Sequence, residues 1–185
     1  MESGEVLSYS VLVNTSPLNK LCAISGVESS SANLTANKVI VFNLGFKGKL
    51  PIDQHWIYYP GSEVFYRVGC YHNIFNSDDA SFYVEIGFSS DDEVSDELLL
   101  KKILIDLKRV NLIDESMELI DYEFVVMDPA YVHINKESEN FKSTIKSHLK
   151  ENDVYTAGRY GDWRYCSIED NILEGIQLAS DLSKV

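Results

Sequence analysis

The sequence of 185 residues lacks any cluster of basic residues, since 16 lysines and arginines stand against 29 aspartates and glutamates. Binding to nucleic acid phosphates requires grouped cations, so a nucleic-acid partner is not expected. No apolar run approaches the roughly 20 residues that a membrane-spanning helix needs, which excludes a membrane span in this stretch. The net charge of −13 is concentrated in short acidic runs that are typical of a solvated surface.

Cysteine is also scarce. Cys22, Cys70 and Cys166 are odd in number and widely spaced, and the four histidines match no metal-ligand spacing. We therefore expect reduced thiols, a cytoplasmic location and no metal site. Nothing resembles a nucleophile motif such as GxSxG, so no catalytic side chain is assigned.

Apolar and β-branched runs predict a β-rich first part of the chain. The predicted strands are Val6–Asn14, Lys38–Phe46, His55–Tyr59, Glu63–Tyr71 and Ser81–Ser89. Pro60-Gly61 lies between two aromatic runs, as in a tight turn. Ser95 then begins a helix with Leu99, Ile103 and Leu107 on one face. Strands that follow one another without long helices indicate an antiparallel sheet, so the fold class is α+β with helices covering the sheet.

The pattern changes near residue 127, after a further predicted strand. It becomes a helix at Ser138–Lys150, a strand at Val154–Ala157 and a last helix. Ser167 is the predicted N-cap of that helix, with Asp170 at N3 as in a capping box. Its predicted inner face consists of Ile168, Ile172, Ile176 and Ala179. We interpret residues 1–127 as a sheet domain and residues 128–185 as part of a second unit.

These residues resemble a known family. The tail TAGRYGDWRYCSIEDNILEGIQLA is similar to the closing segment of the flavin amine oxidase/protoporphyrinogen oxidase-like superfamily. VLVNTSPLNKL resembles that family's strand followed by Thr-x-Pro-Leu, and HWIYYPGSEVFYRVGCYHNIF resembles the substrate sheet of its UDP-galactopyranose mutase-like branch. Asp128-Pro129-Ala130-Tyr131 resembles, in altered order, a Tyr-Pro turn of the same branch. The four motifs occur in the family's order and span most of residues 6–182.

The resemblance implies an FAD cofactor, and the chemistry of the reaction would belong to that cofactor. Residues 1–127 then form the substrate-binding domain, and residues 128–185 the C-terminal segment of a Rossmann-like FAD-binding domain. The implied cofactor-binding residues are Gly158, Arg159, Trp163, Tyr165, Ser167 and Ile168. The amide-rich start of the last helix would face the flavin ring. Two alternatives to these roles stay open. In one, Arg159 forms an ion pair with Asp162 or Asp170. In the other, Trp163 and Tyr165 pack in the hydrophobic core.

A small-molecule substrate, such as a nucleotide sugar, is implied in the same way. The implied substrate-binding residues are Arg67, Tyr59, Tyr66 and Tyr131. Arginine suits bidentate phosphate binding, and tyrosines stack on rings. The alternatives are that Arg67 is a surface arginine on an edge strand and that the tyrosines form ordinary aromatic pairs within a sheet.

One departure from the family is large, because the chain has 10 glycines and no GxGxxG turn to hold the FAD pyrophosphate. We expect that the N-terminal Rossmann half is absent and is encoded elsewhere, in a longer protein or a partner chain. This chain alone is then expected neither to bind FAD nor to be active, and its uncovered apolar face should drive self-association. The alternative is a non-enzymatic acidic α+β binding or assembly module derived from that fold.

Overall fold

The computed structural model describes residues 4, 6–27 and 33–183, which form two compact units. The sheet unit is Asn37–Ala130, and the tail unit combines Met1–Ala36 with Tyr131–Val185. In chain order the elements are β1 (Leu12–Asn14), α1 (Leu18–Ile24), β2 (Ala36–Lys47), β3 (Trp56–Tyr58), β4 (Arg67–Cys70), α2 (Tyr71–Phe75), β5 (Ala80–Ser89), α3 (Asp96–Arg109), β6 (Glu118–Val132), α4 (Lys136–Lys150), β7 (Val154–Thr156), α5 (Gly158–Gly161) and α6 (Ile168–Leu182). None of these helices is long and apolar enough to cross a membrane.

The sheet unit confirms the predicted α+β class. Its five strands are ordered β3-β4-β5-β2-β6, and the pairs β3–β4, β4–β5 and β2–β5 are antiparallel. Pro60-Gly61 lies in the connection between β3 and β4, as the sequence indicated. Asp128-Pro129 lies within β6, so the turn expected there is wrong and the strand continues to Val132.

One face of this sheet packs against α3. The predicted stripe of Leu99, Ile103 and Leu107 is buried against strand residues such as Phe42 and Val84. Full burial of each such side chain contributes roughly 1.5–3 kcal/mol. The opposite face of the sheet therefore carries the other side chains of each strand, and these include Arg67, the predicted substrate residue in β4.

The tail unit is built around a parallel ribbon of β1 and β7, in which Val13 is opposite Tyr155. The predicted strand Val6–Asn14 is shorter, because only Leu12–Asn14 has a neighbouring strand among the described residues. Val6 and Leu7 have exposed fractions of 93% and 62%. A strand needs a ladder partner for its backbone groups, and β7 is too short to supply one.

Helix α6 begins as predicted, with a capping box between Ser167 and Asp170. Its predicted inner face is wrong. Ile168, Ile172 and Ile176 have exposed fractions of 82%, 58% and 64%, and no residue of α6 is buried. The helix therefore presents an apolar stripe that nothing within the described part of its unit covers.

Candidate functional site

The turn between β7 and α5 is shaped by Gly158 and held by α6. Gly158 has a φ of 83°, in the left-handed region that glycine adopts without strain. Its backbone N–H donates a 2.7 Å hydrogen bond to Glu174 Oε2. Arg164 pairs with the same carboxylate oxygen at 3.0 Å. The position of the Gly158-Arg159 turn is thus fixed from the side of α6.

The Arg159 guanidinium lies between two tyrosine rings. Its Cζ is 4.7 Å from the ring centroid of Tyr165 and 5.3 Å from that of Tyr131. Such cation–π contacts contribute about 0.5–1 kcal/mol at exposed sites and leave the N–H donors open. Within the described ranges, no carboxylate forms an ion pair with Arg159.

The two carboxylates that could have neutralised Arg159 are engaged elsewhere. Asp162 Oδ1 accepts hydrogen bonds from Lys146 Nζ at 2.6 Å and from Thr156 Oγ1 at 2.7 Å. Asp170 accepts from the Ser167 backbone N–H and hydroxyl, both at 2.8 Å. The alternative in which Arg159 forms a structural ion pair with either residue is therefore wrong.

A cavity of about 500 Å³ opens beside this turn. Gly158 and Arg159 line it together with Val13 of β1, Thr15 just after that strand, and Leu178 of α6. The walls are mainly apolar, and Arg159 is a charged residue among those that line them. A mainly apolar cavity with a few placed polar groups is typical of a small-molecule or cofactor site.

The start of α6 differs from the expected amide-rich anion site. The N–H groups of Ser167 and Asp170 are both used inside the capping box. The Ser167 backbone N–H, followed by its hydroxyl, holds the pKa of Asp170 below its usual value. An ionised carboxylate thus already compensates the positive end of the helix dipole. Ile168 is exposed beside it, and Tyr165 has an exposed fraction of 71%.

Trp163 lies in the core of the tail unit instead of lining the cavity. Its side chain has an exposed fraction of 1% and packs with Leu18, Ile145 and Leu149. The neighbouring Asp162 joins α4 to β7. Burial of its carboxyl opposes ionisation, but the hydrogen bonds from Lys146 and Thr156 outweigh it, so the pKa of Asp162 lies below its usual value.

In the sheet unit, Arg67 is neutralised by a carboxylate that the sequence interpretation had missed. Arg67 Nη2 lies 2.5 Å from Glu85 Oε1, and the Tyr66 hydroxyl donates to Glu85 Oε2. The exposed fraction of Glu85 is 2%. The signal was available, because a glutamate in the middle of the apolar strand SFYVEIGFS needs a partner once it is buried.

Aromatic rings surround this pair. The Arg67 guanidinium is 4.8 Å from the ring centroid of Trp56 and 5.6 Å from that of Tyr58. Tyr58 also accepts a 3.2 Å hydrogen bond from Arg67 Nη1. The charge of Arg67 is thus balanced within the unit, in contrast to that of Arg159.

Tyr59 and Tyr131 occupy different surroundings. The ring of Tyr59 packs edge-on against Phe65, with centroids 5.1 Å apart. Burial, followed by the nearby Cys70 and Glu63, raises the pKa of Tyr59 to about 12. Tyr131 lies in the tail unit with Arg159. The predicted substrate residues are therefore divided between the two units, with Arg67, Tyr59 and Tyr66 in one and Tyr131 in the other.

No family model matches the chain. Its fold nevertheless matches parts of solved structures whose names include a UDP-galactopyranose mutase and a putative protoporphyrinogen oxidase, as expected from the sequence resemblance. Among solved structures, a reduced UDP-galactopyranose mutase is 23% identical, with a TM-score of 0.78 over 88% of this chain and 38% of its own. A putative protoporphyrinogen oxidase from Exiguobacterium sp. 255-15 is 13% identical, with a TM-score of 0.72 over 93% of this chain and 40% of its own.

A further similar structure is a fatty acid isomerase from P. acnes, 15% identical with a TM-score of 0.61 over 92% of this chain and 41% of its own. The present chain thus spans about two fifths of the length of these proteins. Their names cover a mutase, an oxidase and an isomerase. At these identities the likeness establishes the fold, and the fold alone does not choose among these activities.

Proposed function

We propose that this chain supplies the ring-side wall of an FAD site and the substrate-contacting sheet of an FAD-dependent enzyme. The tail unit contributes the cofactor wall through Gly158, Arg159 and Tyr165. The sheet unit contributes the substrate surface around Arg67 and Tyr66. The enzyme is an oxidoreductase or a UDP-galactopyranose mutase-like protein acting on a small molecule such as a nucleotide sugar.

This proposal rests on the positive charge of Arg159, which no carboxylate neutralises among the residues described. Its guanidinium lies between Tyr131 and Tyr165 and has no carboxylate partner among the residues described, and Arg159 lines a cavity of about 500 Å³. A fork of donors held in this way suits a carbonyl or phosphate oxygen. FAD, when bound, brings the redox or covalent chemistry. The chain's own residues bind and orient it.

The residues present fit one end of such a cofactor. A left-handed glycine permits close approach of the backbone, and the mainly apolar cavity can accept a flat ring. The pyrophosphate end needs backbone N–H groups at a glycine-rich helix start. In α6 that position is occupied by Asp170, and the sequence has no GxGxxG turn. We therefore assign the pyrophosphate cradle to a polypeptide outside this sequence.

Two further properties belong to this proposal. The thiols of Cys22, Cys70 and Cys166 are free and buried, which suits a cytoplasmic protein. The exposed stripe of α6 suits a surface that another polypeptide covers. When that polypeptide is absent, we expect copies of this chain to associate through the stripe.

An FAD titration of this chain mixed with the polypeptide encoded directly upstream tests the proposal. Quenching of flavin fluorescence should saturate at one FAD per complex, and Arg159→Gln should weaken binding about tenfold or more. Arg109→Gln is the matched control, because Arg109 is a half-exposed arginine of the sheet unit paired with Glu63 and Asp106. A folded complex that binds no FAD would favour the non-enzymatic acidic module instead.

A further inference from the structure

Helix α3 of the sheet unit has two unlike faces. The inner face, with Leu99, Ile103 and Leu107, is buried against the sheet. The exposed residues after Glu97 follow one another at the three- and four-residue intervals that mark one side of a helix. We call this surface the α3 outer face, and it consists of Leu98, Lys101, Lys102, Ile105, Lys108 and Arg109.

The α3 outer face contains four cations, two aliphatic side chains and no acid. These cations are a quarter of the 16 lysines and arginines in a chain whose net charge is −13. The two aliphatic side chains, Leu98 and Ile105, have exposed fractions of 62% and 66%. The α3 outer face is therefore a positive and partly apolar patch on an acidic protein.

The acid in this part of the helix is turned inward. The Asp106 side chain is 13% exposed, and its Oδ2 accepts a 2.7 Å hydrogen bond from the Val64 backbone N–H. Its Oδ1 lies 3.0 Å from Arg109, which also pairs with Glu63 at 3.4 Å. The charge of Arg109 is thus balanced within the unit, and the positive charge of the outer face comes from its three lysines.

These three lysines are available to an anionic ligand. Lys101 and Lys102 form no ion pair in the part of the chain that the structure describes. Lys108 lies 3.0 Å from Glu115, but the side chain of Glu115 is 90% exposed. Because such exposed ion pairs contribute little and are screened by salt, Lys108 can exchange this partner for another.

The apolar stripe of α6 carries the opposite charge. That helix contains Glu169, Asp170, Glu174 and Asp181 and no lysine or arginine. An anionic surface would repel it. Exposed aliphatic side chains and positive charge thus coincide on α3 and not on α6, so the two surfaces suit different partners.

We propose that the α3 outer face docks reversibly on the surface of an anionic lipid bilayer. The lysine ammonium groups would lie among the phosphate and carboxylate groups of the headgroups, and Leu98 and Ile105 would enter the boundary between headgroups and acyl chains. The inference goes beyond the proposed function and does not depend on it, because α3 belongs wholly to the sheet unit.

Two features select a bilayer as the occupant. The first is charge complementarity, because a cluster of about four or more cations on an amphipathic helix is typical of a surface that binds anionic lipids. The second is composition. The centres of protein interfaces are enriched in aromatic residues and depleted in lysine, whereas this face has three lysines and no aromatic residue. Lysine stems can lie along an apolar layer while their ammonium groups stay in the polar one.

Co-sedimentation of the full chain with vesicles tests the docking. Phosphatidylcholine vesicles with about 30% phosphatidylserine should bind the chain at least about tenfold more tightly than pure phosphatidylcholine vesicles, because the anionic lipid attracts the lysines. Raising the salt from about 0.05 M to about 0.5 M should weaken this binding at least about tenfold, since salt screens exposed charges. A chain with a net charge of −13 has no general attraction to anionic vesicles, so binding reports a local positive patch.

Charge reversal identifies that patch. Lys102→Glu should weaken binding to the anionic vesicles about tenfold, because it replaces an attraction by a repulsion at the headgroups. Lys136→Glu is the matched control, since Lys136 is also an exposed lysine on a helix, in the tail unit. The control should leave the affinity within about twofold of the original, because a charge far from the contact is screened.

Removal of an aliphatic side chain provides the second readout. Ile105→Ser should weaken vesicle binding about fivefold or more, because that side chain no longer leaves water on docking. Ile24→Ser is the control, at an exposed fraction of 83% on α1, and should not change the binding. All four substitutions are at exposed positions, so unfolding curves that match the original verify that each variant is folded.

The remaining outcomes decide between this surface and the alternatives. Arg159→Gln should bind vesicles as the original does, so a failure of the FAD site leaves this test intact. Binding to soluble polyglutamate but not to anionic vesicles, lost in Lys102→Glu, would assign the face to an acidic polypeptide and overturn the lipid occupant. No binding at low salt, equal binding to both kinds of vesicle, or equal loss in a variant and its control would also overturn the proposal.

Discussion

The carboxylate of Glu174 accepts a 2.7 Å hydrogen bond from the backbone N–H of Gly158. These residues are 16 positions apart, and the bond ties the middle of α6 to the turn that follows β7. Because Arg159 is the next residue, the helix indirectly determines where that guanidinium lies. The packing of α6 on the β1–β7 ribbon therefore determines where the residues of the candidate site lie.

Replacement of Gly158 by alanine should destabilise the tail unit. A φ of 83° costs an L-residue about 1–2 kcal/mol, and the added Cβ would lie 3.4 Å from Asn171 Oδ1. We expect urea unfolding to show a loss of that size. Gly175→Ala is the matched control, because nothing lies within 4 Å of its added Cβ and alanine stabilises a helix by about 0.5–1 kcal/mol. Equal stability of the two variants would contradict the account.

Neutralising Glu85 should destabilise the sheet unit, since its carboxylate accepts from both Arg67 and Tyr66. Hydrogen bonds to a charged group contribute about 1.5–3 kcal/mol, so Glu85→Gln should lower the free energy of unfolding by about that amount. Glu93→Gln changes an exposed acid and should have little effect. A double-mutant cycle with Arg67→Met measures the coupling, and additive effects would show that the pair contributes nothing.

Asp162 should make the stability of the tail unit depend on pH. Its pKa is lower in the folded protein than in the unfolded chain, so its contribution is present above the unfolded pKa of about 3.9. That contribution is lost as the pH falls through the folded pKa. Asp162→Asn should therefore be less stable than the original at pH 7, and the difference should shrink below about pH 4. A difference that stays constant from pH 7 to pH 3 would refute this role.

The apolar stripe of α6 should make the chain self-associate when nothing covers it. Exposed apolar surface of this kind favours association. Sedimentation velocity should show oligomers that dissociate on Ile172→Glu. Leu98→Glu, at an equally exposed apolar position on α3 in the sheet unit, should not change the sedimentation. A monomer at every concentration would count against the stripe as an interaction surface.

Hydrophobic periodicity correctly predicted the buried face of a helix where the elements that cover that face lie in this sequence. The stripe of α3 could be predicted because Leu99, Ile103 and Leu107 meet a sheet that this chain encodes. The same reasoning failed for α6, whose Ile172 and Ile176 follow an equally good pattern and remain exposed. A hydrophobic period identifies a face that should be covered, but it does not say which polypeptide covers it.

Prediction of the candidate site from the sequence has the same limit, because long-range contacts cannot be seen in a local motif. The sequence predicted a strand at Val154–Ala157 that ends just before Gly158 and Arg159, and β7 ends at Thr156. The pairing of Arg67 with Glu85 depends on the register between β4 and β5, where these two residues are opposite each other. The packing of Trp163 in the core depends on α1 and α4. Neither long-range contact can be seen in the residues next to it.

The absorbance spectrum of this chain after incubation with excess FAD and desalting tests the central claim most directly. We predict no flavin absorbance for the chain alone, and one FAD per complex once the upstream-encoded polypeptide is added. Stoichiometric FAD retained by the isolated chain would contradict the assignment of the pyrophosphate cradle to another polypeptide. A stable complex of both polypeptides without flavin absorbance would contradict the FAD site itself.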